Sequence, residues 1–182
     1  FFALLWDQPL DTPINIFARD SLGNEGTGTF DFRVFPKNFR QSRIQLDDAF
    51  LAHEYDRMLG EMNEKEVHKY AERCVDLTNY ALTGIPEDKV RYHVCWGSWN
   101  APHTYDVPLK TLVDLILKIK AQAYWLEAAN PRHEHEWMVW KDVRLPDGKV
   151  LIPGVITHST NVVEHPELVA WRTKNFASVV GR

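Results

Sequence analysis

The chain has 182 residues, of which 45% are hydrophobic and 25% are charged, and its formal net charge is -4. This length is enough for one domain with a sizeable core, and the negative charge argues against nucleic acid or an anionic membrane as a partner. No apolar stretch approaches the length of a membrane span. Two cysteines are too few for a disulfide framework, so the composition predicts a cytoplasmic protein in a reducing compartment.

The first 42 residues are the least regular part of the sequence. The glycine-rich run at residues 23–28 predicts a flexible loop, and a short strand is expected at residues 30–35. The glycines match neither a P-loop nor a dinucleotide-binding fingerprint. The sequence therefore predicts a poorly specified N-terminal segment, residues 1–42, before a regular domain, residues 43–182. The chain also begins with Phe rather than Met, which suggests a fragment or a processed product.

From residue 43 onward, predicted strands and helices alternate. The strands are expected at residues 44–48, 90–95, 123–127 and 150–157, and the helices at residues 64–82, 109–122, about 135–141 and 166–180. Alternation of this kind predicts a parallel sheet covered by helices. Four such units amount to about half of a (β/α)8 barrel, so the predicted fold class is α/β, a partial TIM-type barrel.

Polar side chains follow the predicted strands, at the edge where a barrel of this type holds its active site. His93 and Cys95 are two residues apart on one strand and therefore share a face. If the next strand is adjacent, Glu127 lies beside them, and imidazole, thiolate and carboxylate together are a suitable set of zinc ligands. The alternatives are a packed His with a buried Cys, and a strand-end carboxylate that bonds a nearby loop.

Two other patterns carry weaker signals. His133 and His135 flank Glu134, but the spacing is not H-E-x-x-H, so a metalloprotease is unsupported. Residues two apart do not share a face of a helix, and a solvated or substrate-gating role is therefore predicted for this segment. Cys74 lies on the apolar stripe of the first long predicted helix, which predicts a packing role.

Four runs of the sequence occur in an order that is typical of a known family. They are His93–Gly97, Leu126–Glu136, Gly154–Ile156 and Val163–Val169. These runs resemble the cobalamin-independent methionine synthase family, and most closely its shorter, methionine-synthase-like branch, which corresponds to the C-terminal catalytic barrel. The resemblance extends from about residue 44 to residue 182.

The resemblance implies a zinc-dependent methyltransferase that moves a methyl group from 5-methyltetrahydrofolate (polyglutamate) to the thiol of homocysteine, making methionine. In the family, zinc is held by a His-x-Cys pair, a Glu on the next strand and a second Cys near the end of the barrel. His93, Cys95 and Glu127 match the first three ligands, and no residue of this chain matches the fourth. The metal lowers the pKa of the substrate thiol, and thiolate is the nucleophile.

The resemblance assigns two further residues. Asp47 matches the acid that binds the amino group of the amino-acid substrate, and the competing reading is a helix-capping or structural Asp. His158 matches a His that protonates the departing folate nitrogen, a general-acid role that suits an imidazole. The competing reading for His158 is a strand-end His held by hydrogen bonds.

Two other functions stay open at this point. Related zinc chemistry transfers an alkyl group to another thiol such as coenzyme M, and a truncated, catalytically inactive homologue would act as a zinc-binding or interaction module. An open half-barrel also exposes sheet edges and an apolar interior. The expectation is that such a piece pairs with a partner half, self-associates through its open edges or is a truncated product.

Overall fold

The computed structural model describes residues 14–19, 25–30, 44–48, 50–97 and 106–181. The chain divides into two compact units, residues 1–42 and residues 43–182. None of the described helices is long and apolar enough to cross a membrane.

The first unit contains a pair of antiparallel strands, β1 (Ile14–Arg19) and β2 (Glu25–Phe30). The prediction of a flexible loop across the glycine-rich run is therefore wrong from residue 25 onward. Glycine favours strands weakly, but here each glycine of β2 lies opposite a residue of β1, and backbone pairing outweighs that local preference. The strand expected at residues 30–35 lies outside the described residues beyond Phe30.

The second unit is built on a parallel sheet of four strands in the order β3-β4-β5-β6. These strands are β3 (Ile44–Asp48), β4 (Val90–Val94), β5 (Ala123–Glu127) and β6 (Val150–Gly154). Helical segments alternate with the strands, so the predicted α/β class with four parallel strands is confirmed. Each strand pairs with the next one along the chain, as in a segment of a βα barrel.

The helical segments that follow the strands differ in length and type. They are a π-helical turn (Phe50–Glu54), α1 (Tyr55–Leu59), α2 (Glu64–Ala81), a 3₁₀ turn (Glu87–Lys89), α3 (Leu109–Ile116), a 3₁₀ helix (Glu134–Lys141) and α4 (Pro166–Val180). At the start of α2, Asn63 and Glu66 form a capping box, in which each side chain accepts a hydrogen bond from the other residue's backbone N–H. The helical turns at residues 50–59 have no counterpart in the sequence prediction.

The helix α3 is shorter than predicted because its end is tied to α2. The apolar pattern predicts a helix to residue 122, but the helix ends at Ile116. Asn79 of α2 donates to the carbonyl oxygen of Lys118 at 2.9 Å and accepts from the N–H of Lys120 at 2.8 Å. These bonds to a distant residue satisfy backbone groups that a longer helix would have used.

The strand β6 also stops earlier than predicted, at Gly154 rather than residue 157. Pro153 has no N–H to donate to a ladder, and the carbonyl oxygen of Val155 accepts a hydrogen bond from Arg172 of α4 instead of from a strand. β4 ends at Val94, one residue before its predicted end.

The two faces of the sheet have different surroundings. The helix-covered face is apolar and buried, with Tyr92, Val94, Tyr124 and Leu126 among its side chains. Tyr124 donates to the carbonyl oxygen of Ile119 at 2.9 Å, and burial raises its pKa to about 12. Strand alternation sends the intervening residues to the opposite, half-buried face. That second face carries the candidate site.

Candidate functional site

His93 and Asp47 form a pair on the half-buried face of the sheet. They lie opposite each other in the register of β3 and β4. Nδ1 of His93 is 2.9 Å from Oδ1 of Asp47, and the same oxygen accepts a hydrogen bond of 2.8 Å from Gln45. The hydrogen bond from Gln45 and the contact with His93 outweigh partial burial and lower the pKa of Asp47 below its ordinary value. An ionised Asp47 favours a proton on Nδ1, which makes Nε2 the basic nitrogen of His93.

Cys95 and Glu127 lie next to each other at the ends of their strands. The register of β4 and β5 pairs Val94 with Leu126, so one further step brings Cys95 opposite Glu127. The N–H of Cys95 still donates to the carbonyl oxygen of Asp48 at 3.0 Å, so the strand geometry continues through this residue. Neighbouring strands are about 4.8 Å apart, and the thiol and the carboxylate are therefore close.

The surroundings of Cys95 keep its thiol protonated. Burial raises the pKa of the Cys95 thiol. The N–H of Gly97 lies 3.3 Å from Sγ and lowers this pKa, but less strongly. The carboxylates of Glu127, Asp47 and Asp48 raise the pKa further. A thiol in such a place is a weak nucleophile. A bound metal cation would reverse this preference, because a coordinating thiol loses its proton.

Of the two carboxylate oxygens of Glu127, one accepts a hydrogen bond and the other accepts none from the described residues. Oε2 accepts a hydrogen bond from the side chain of Asn130. This contact agrees with the alternative given above, a strand-end carboxylate that bonds a nearby loop. Oε1 is buried and forms no hydrogen bond with any described residue. Nε2 of His158 is 3.7 Å from Oε1, which is too long for a hydrogen bond. A buried carboxylate oxygen without a donor is costly, so Oε1 is the atom that a bound cation would stabilise.

A cavity of about 200 Å³ lies beside these groups, and His93, Glu127, Asn130 and His158 contribute to its wall. Trp125 also lines the cavity, and its ring lies against His93 with the ring centroids 4.5 Å apart. The cavity therefore combines an aromatic surface with three ionisable side chains, a composition that is typical of small-molecule sites.

Gly154 lies in the wall of the cavity, at a position with little room for a larger side chain. A Cβ atom at this position would lie 3.2 Å from the carbonyl oxygen of Leu126 and 3.3 Å from Nε1 of Trp125. A larger residue would press on the indole that contacts His93.

The donor types of the predicted zinc site fit the metal, because zinc binds thiolate, imidazole and carboxylate. The structure brings His93 and Glu127 to one cavity and places Cys95 beside Glu127. Within the described ranges, however, no three His, Cys, Asp or Glu side chains are close enough together to hold a metal ion. Zinc binding therefore stays a prediction. Cys74, the other cysteine, is half-buried on α2, and burial raises the pKa of its thiol.

Asn130 is a site residue that the sequence analysis missed. Its side-chain oxygen accepts from the N–H groups of Arg132 and His133 at 2.9 and 3.0 Å, while its amide donates to Glu127. It therefore joins the turn after β5 to the carboxylate in the cavity. The signal was an Asn-Pro pair directly after a strand, which is typical of a turn closed by the Asn side chain.

His133 is buried, so the prediction of a solvated role is wrong for this residue, whereas His135 is exposed. Nδ1 of His133 is 2.7 Å from Glu136, Nε2 is 3.2 Å from Asp106, and the ring lies 4.3 Å from that of Trp96 between centroids. His133 is the N-cap of the 3₁₀ helix Glu134–Lys141, whose buried residues are Glu136 and Trp140. Two carboxylates compensate the burial of the imidazole there.

No family model, curated protein or solved structure matches the chain. The fold and the cavity together define an α/β protein with a polar site at the carboxyl edge of parallel strands, where such folds hold their ligands. The resemblance to the methionine synthase family stays a prediction from the sequence motifs.

Proposed function

We propose that the chain is a zinc-dependent methyltransferase of the methionine synthase type, which transfers the methyl group of 5-methyltetrahydrofolate to the thiol of homocysteine. The motif resemblance suggests this reaction. The structural observation in its favour is that His93, held at Nδ1 by Asp47, shares a cavity with Glu127, whose Oε1 is buried and accepts no hydrogen bond from the described residues. Metal-binding His residues commonly carry such a carboxylate on their other nitrogen.

Each side chain has a role in this proposal. His93, Cys95 and Glu127 would hold the zinc ion, which when bound supplies positive charge that lowers the pKa of a substrate thiol. Asp47 would orient His93 and, because 67% of its side chain is exposed, also bind the amino group of the substrate. His158, with 54% of its side chain exposed beside Glu127, would hold the proton for the departing folate nitrogen.

The proposal also includes a cytoplasmic location. Cys74 and Cys95 are both free thiols in the structure. A reducing compartment keeps both the substrate thiol and a cysteine ligand in the free form that this reaction uses.

Zinc content of the purified, monodisperse chain is the first test, with Cys95→Ser as the informative variant and Cys74→Ser as its matched control. We expect about one zinc ion per chain in the wild type and in the control, and loss of zinc in Cys95→Ser. Well-folded wild-type protein without zinc would overturn the proposal.

Transfer assays then separate the reactions. Methyl transfer from methyltetrahydrofolate to homocysteine is the expected activity. Alkylation of coenzyme M without alkylation of homocysteine would favour the related alkyl transfer, and zinc binding without any turnover would favour a catalytically inactive zinc-binding module.

A further inference from the structure

Arg172 is a buried cation of α4 that joins the segments which follow β5 and β6. Only 5% of this residue is exposed. Its Nη1 donates to the carbonyl oxygen of Val155 at 3.1 Å and to Oε1 of Glu164, and its Nη2 donates to Oε2 of Glu134 at 3.2 Å. Val155 and Glu164 belong to the β6–α4 loop (residues 155–165), and Glu134 begins the 3₁₀ helix. A guanidinium suits this position because its fork holds several acceptors in fixed directions.

Glu164 extends this restraint to the part of the loop that reaches the cavity. Its Oε2 accepts the N–H of Thr157 at 2.9 Å. The hydroxyl of Thr157 in turn lies 2.8 Å from that of Ser159 and accepts the N–H of Ser159 at 3.3 Å. His158 lies between these two residues, and its ring lines the cavity. The backbone N–H groups on both sides of His158 are therefore hydrogen-bonded, that of Thr157 to Glu164 and that of Ser159 to Thr157.

The charges of the cluster depend on one another. Burial opposes the charged form of Arg172, but its hydrogen bonds with Glu164 and Glu134 outweigh that cost and raise its pKa. Burial likewise opposes an ionised Glu164, but Arg172 and the N–H of Thr157 hold its pKa below the ordinary value. A buried pair adds little net stability compared with apolar packing. The pair instead holds the side chains that it joins in a defined geometry.

We propose that Arg172 is a positioning residue, which acts through Glu164 to hold Thr157 and His158 at the cavity. The catalytic consequence rests on the proposed function, since that function gives His158 its role, whereas the positioning itself does not depend on it. Glu134 ties the same guanidinium to the 3₁₀ helix that follows Asn130. The side chain of Arg172 thus restrains both the segment after β5 and the β6–α4 loop, and each of these contributes residues to the cavity wall.

Hydrogen exchange of the Thr157 amide tests the positioning without relying on activity. Arg172→Lys keeps the charge but loses the fork, and Lys174→Met, at an exposed position of the same helix, is the matched control. The measured quantity is the exchange rate of the Thr157 amide relative to that of the Leu126 amide, which lies in the inner strand β5. We expect this ratio to rise about tenfold or more in Arg172→Lys, as for loss of a charge-assisted hydrogen bond, and to stay at the wild-type value in the control.

A ratio that stays constant in Arg172→Lys would overturn the proposal, because a side chain that only stabilises the fold would accelerate both amides together. If Arg172→Lys does not fold, Glu164→Gln, which leaves Arg172 paired with Glu134, is measured for the same ratio and is judged by the same criterion.

Activity assays distinguish a failure of the positioning role from a failure of the proposed function. If the wild type transfers methyl groups, Arg172→Lys should lower kcat about tenfold or more with unchanged zinc content, and an unchanged kcat would remove the catalytic part of the positioning role. If the wild type neither binds zinc nor transfers methyl groups, the proposed function fails, and the exchange ratio still decides whether Arg172 positions the loop.

Discussion

Two histidines of this protein have matching contacts but opposite surroundings. His133 and His93 both have Nδ1 against a carboxylate, at 2.7 and 2.9 Å, and both rings lie against a tryptophan. His133 is buried, and a second carboxylate, that of Asp106, lies 3.2 Å from its Nε2. Both residues contribute to cavity walls, His93 to the cavity of about 200 Å³ at the strand ends and His133 to a second one of about 320 Å³. The difference is that His93 has a carboxylate at Nδ1 alone among the described residues.

The difference shows how the same His–carboxylate pair can serve structure or ligand binding. Where both ring nitrogens contact carboxylates of the protein, neither nitrogen is left to contact a ligand. Where one carboxylate fixes one nitrogen and the ring faces a cavity, the other nitrogen is oriented for use. The comparison therefore predicts that His133 contributes mainly to stability and His93 mainly to binding.

Replacing each histidine by alanine gives the largest expected contrast. His133→Ala removes the contacts with the buried carboxylate of Glu136 and the half-buried carboxylate of Asp106, and should lower the free energy of unfolding by about 3 kcal/mol, as for the loss of hydrogen bonds to charged groups. His93→Ala, on the half-buried face, should lower it by about 1 kcal/mol or less. Urea denaturation followed by tryptophan fluorescence measures both values. Equal losses would contradict the distinction between the two pairs.

The Arg172 cluster extends the comparison to a buried carboxylate, Glu164. Glu164→Gln should lower the free energy of unfolding by about 2 kcal/mol at pH 7, because a hydrogen bond to a charged group is lost. The folded-state pKa of Glu164 lies below 4.5, so its contribution is complete above pH 4.5 and is lost as the pH falls through the folded-state pKa.

Stability curves of the wild type and Glu164→Gln against pH check this expectation. The gap between the two curves should be constant above pH 4.5, the ordinary value for this carboxyl, and should narrow below it. A gap that widens in acid would show that Glu164 binds its proton more readily in the folded protein.

Asn130 tests the link between the turn after β5 and the cavity. Asn130→Ala removes the acceptor for two backbone N–H groups, which should cost about 1 kcal/mol, and also the donor to Glu127. In the proposed function, loss of that donor should weaken zinc binding about 10-fold to 100-fold. Asn130→Ser is the matched control, because a serine can accept from the backbone but is too short to reach Glu127. Recovery of stability without recovery of zinc affinity is the expected result for the control.

The sequence predicted elements well where local pattern decides them. The strands at residues 44–48 and 123–127 and the helix at residues 166–180 have the predicted bounds, since alternation and a Pro at the first helical position are local signals. Elements that were misjudged depend on distant residues. Asn79 ends α3, Arg172 takes the backbone oxygen that follows β6, and β1 makes a strand of a glycine-rich run.

The candidate site likewise has features that local pattern predicts and features that depend on contacts between distant residues. Alternation along β4 and the order of the strands were enough to place His93, Cys95 and Glu127 at one edge of the sheet. The sequence could not tell which carboxylate oxygen of Glu127 would lack a hydrogen bond from the described residues, because that depends on the side chain of Asn130. Nor could it tell that His133 is buried, since its partners lie on both sides of it along the chain.

The smallest expected effect, and the one that bears most directly on the two histidines, is that of Asp47→Asn. Because the side chain of Asp47 is 67% exposed, solvent screens its contact with His93, and the loss at pH 7 should be below about 1 kcal/mol. Its folded-state pKa lies below 3.8, so even this contribution should be present above pH 3.8 and should fade as the pH falls further. Urea denaturation of the wild type and the variant between neutral and acid pH measures the difference. If Asp47→Asn costs as much as His133→Ala, then Asp47 and His93 form a structural pair like that of His133, and His93 is not held ready for a ligand.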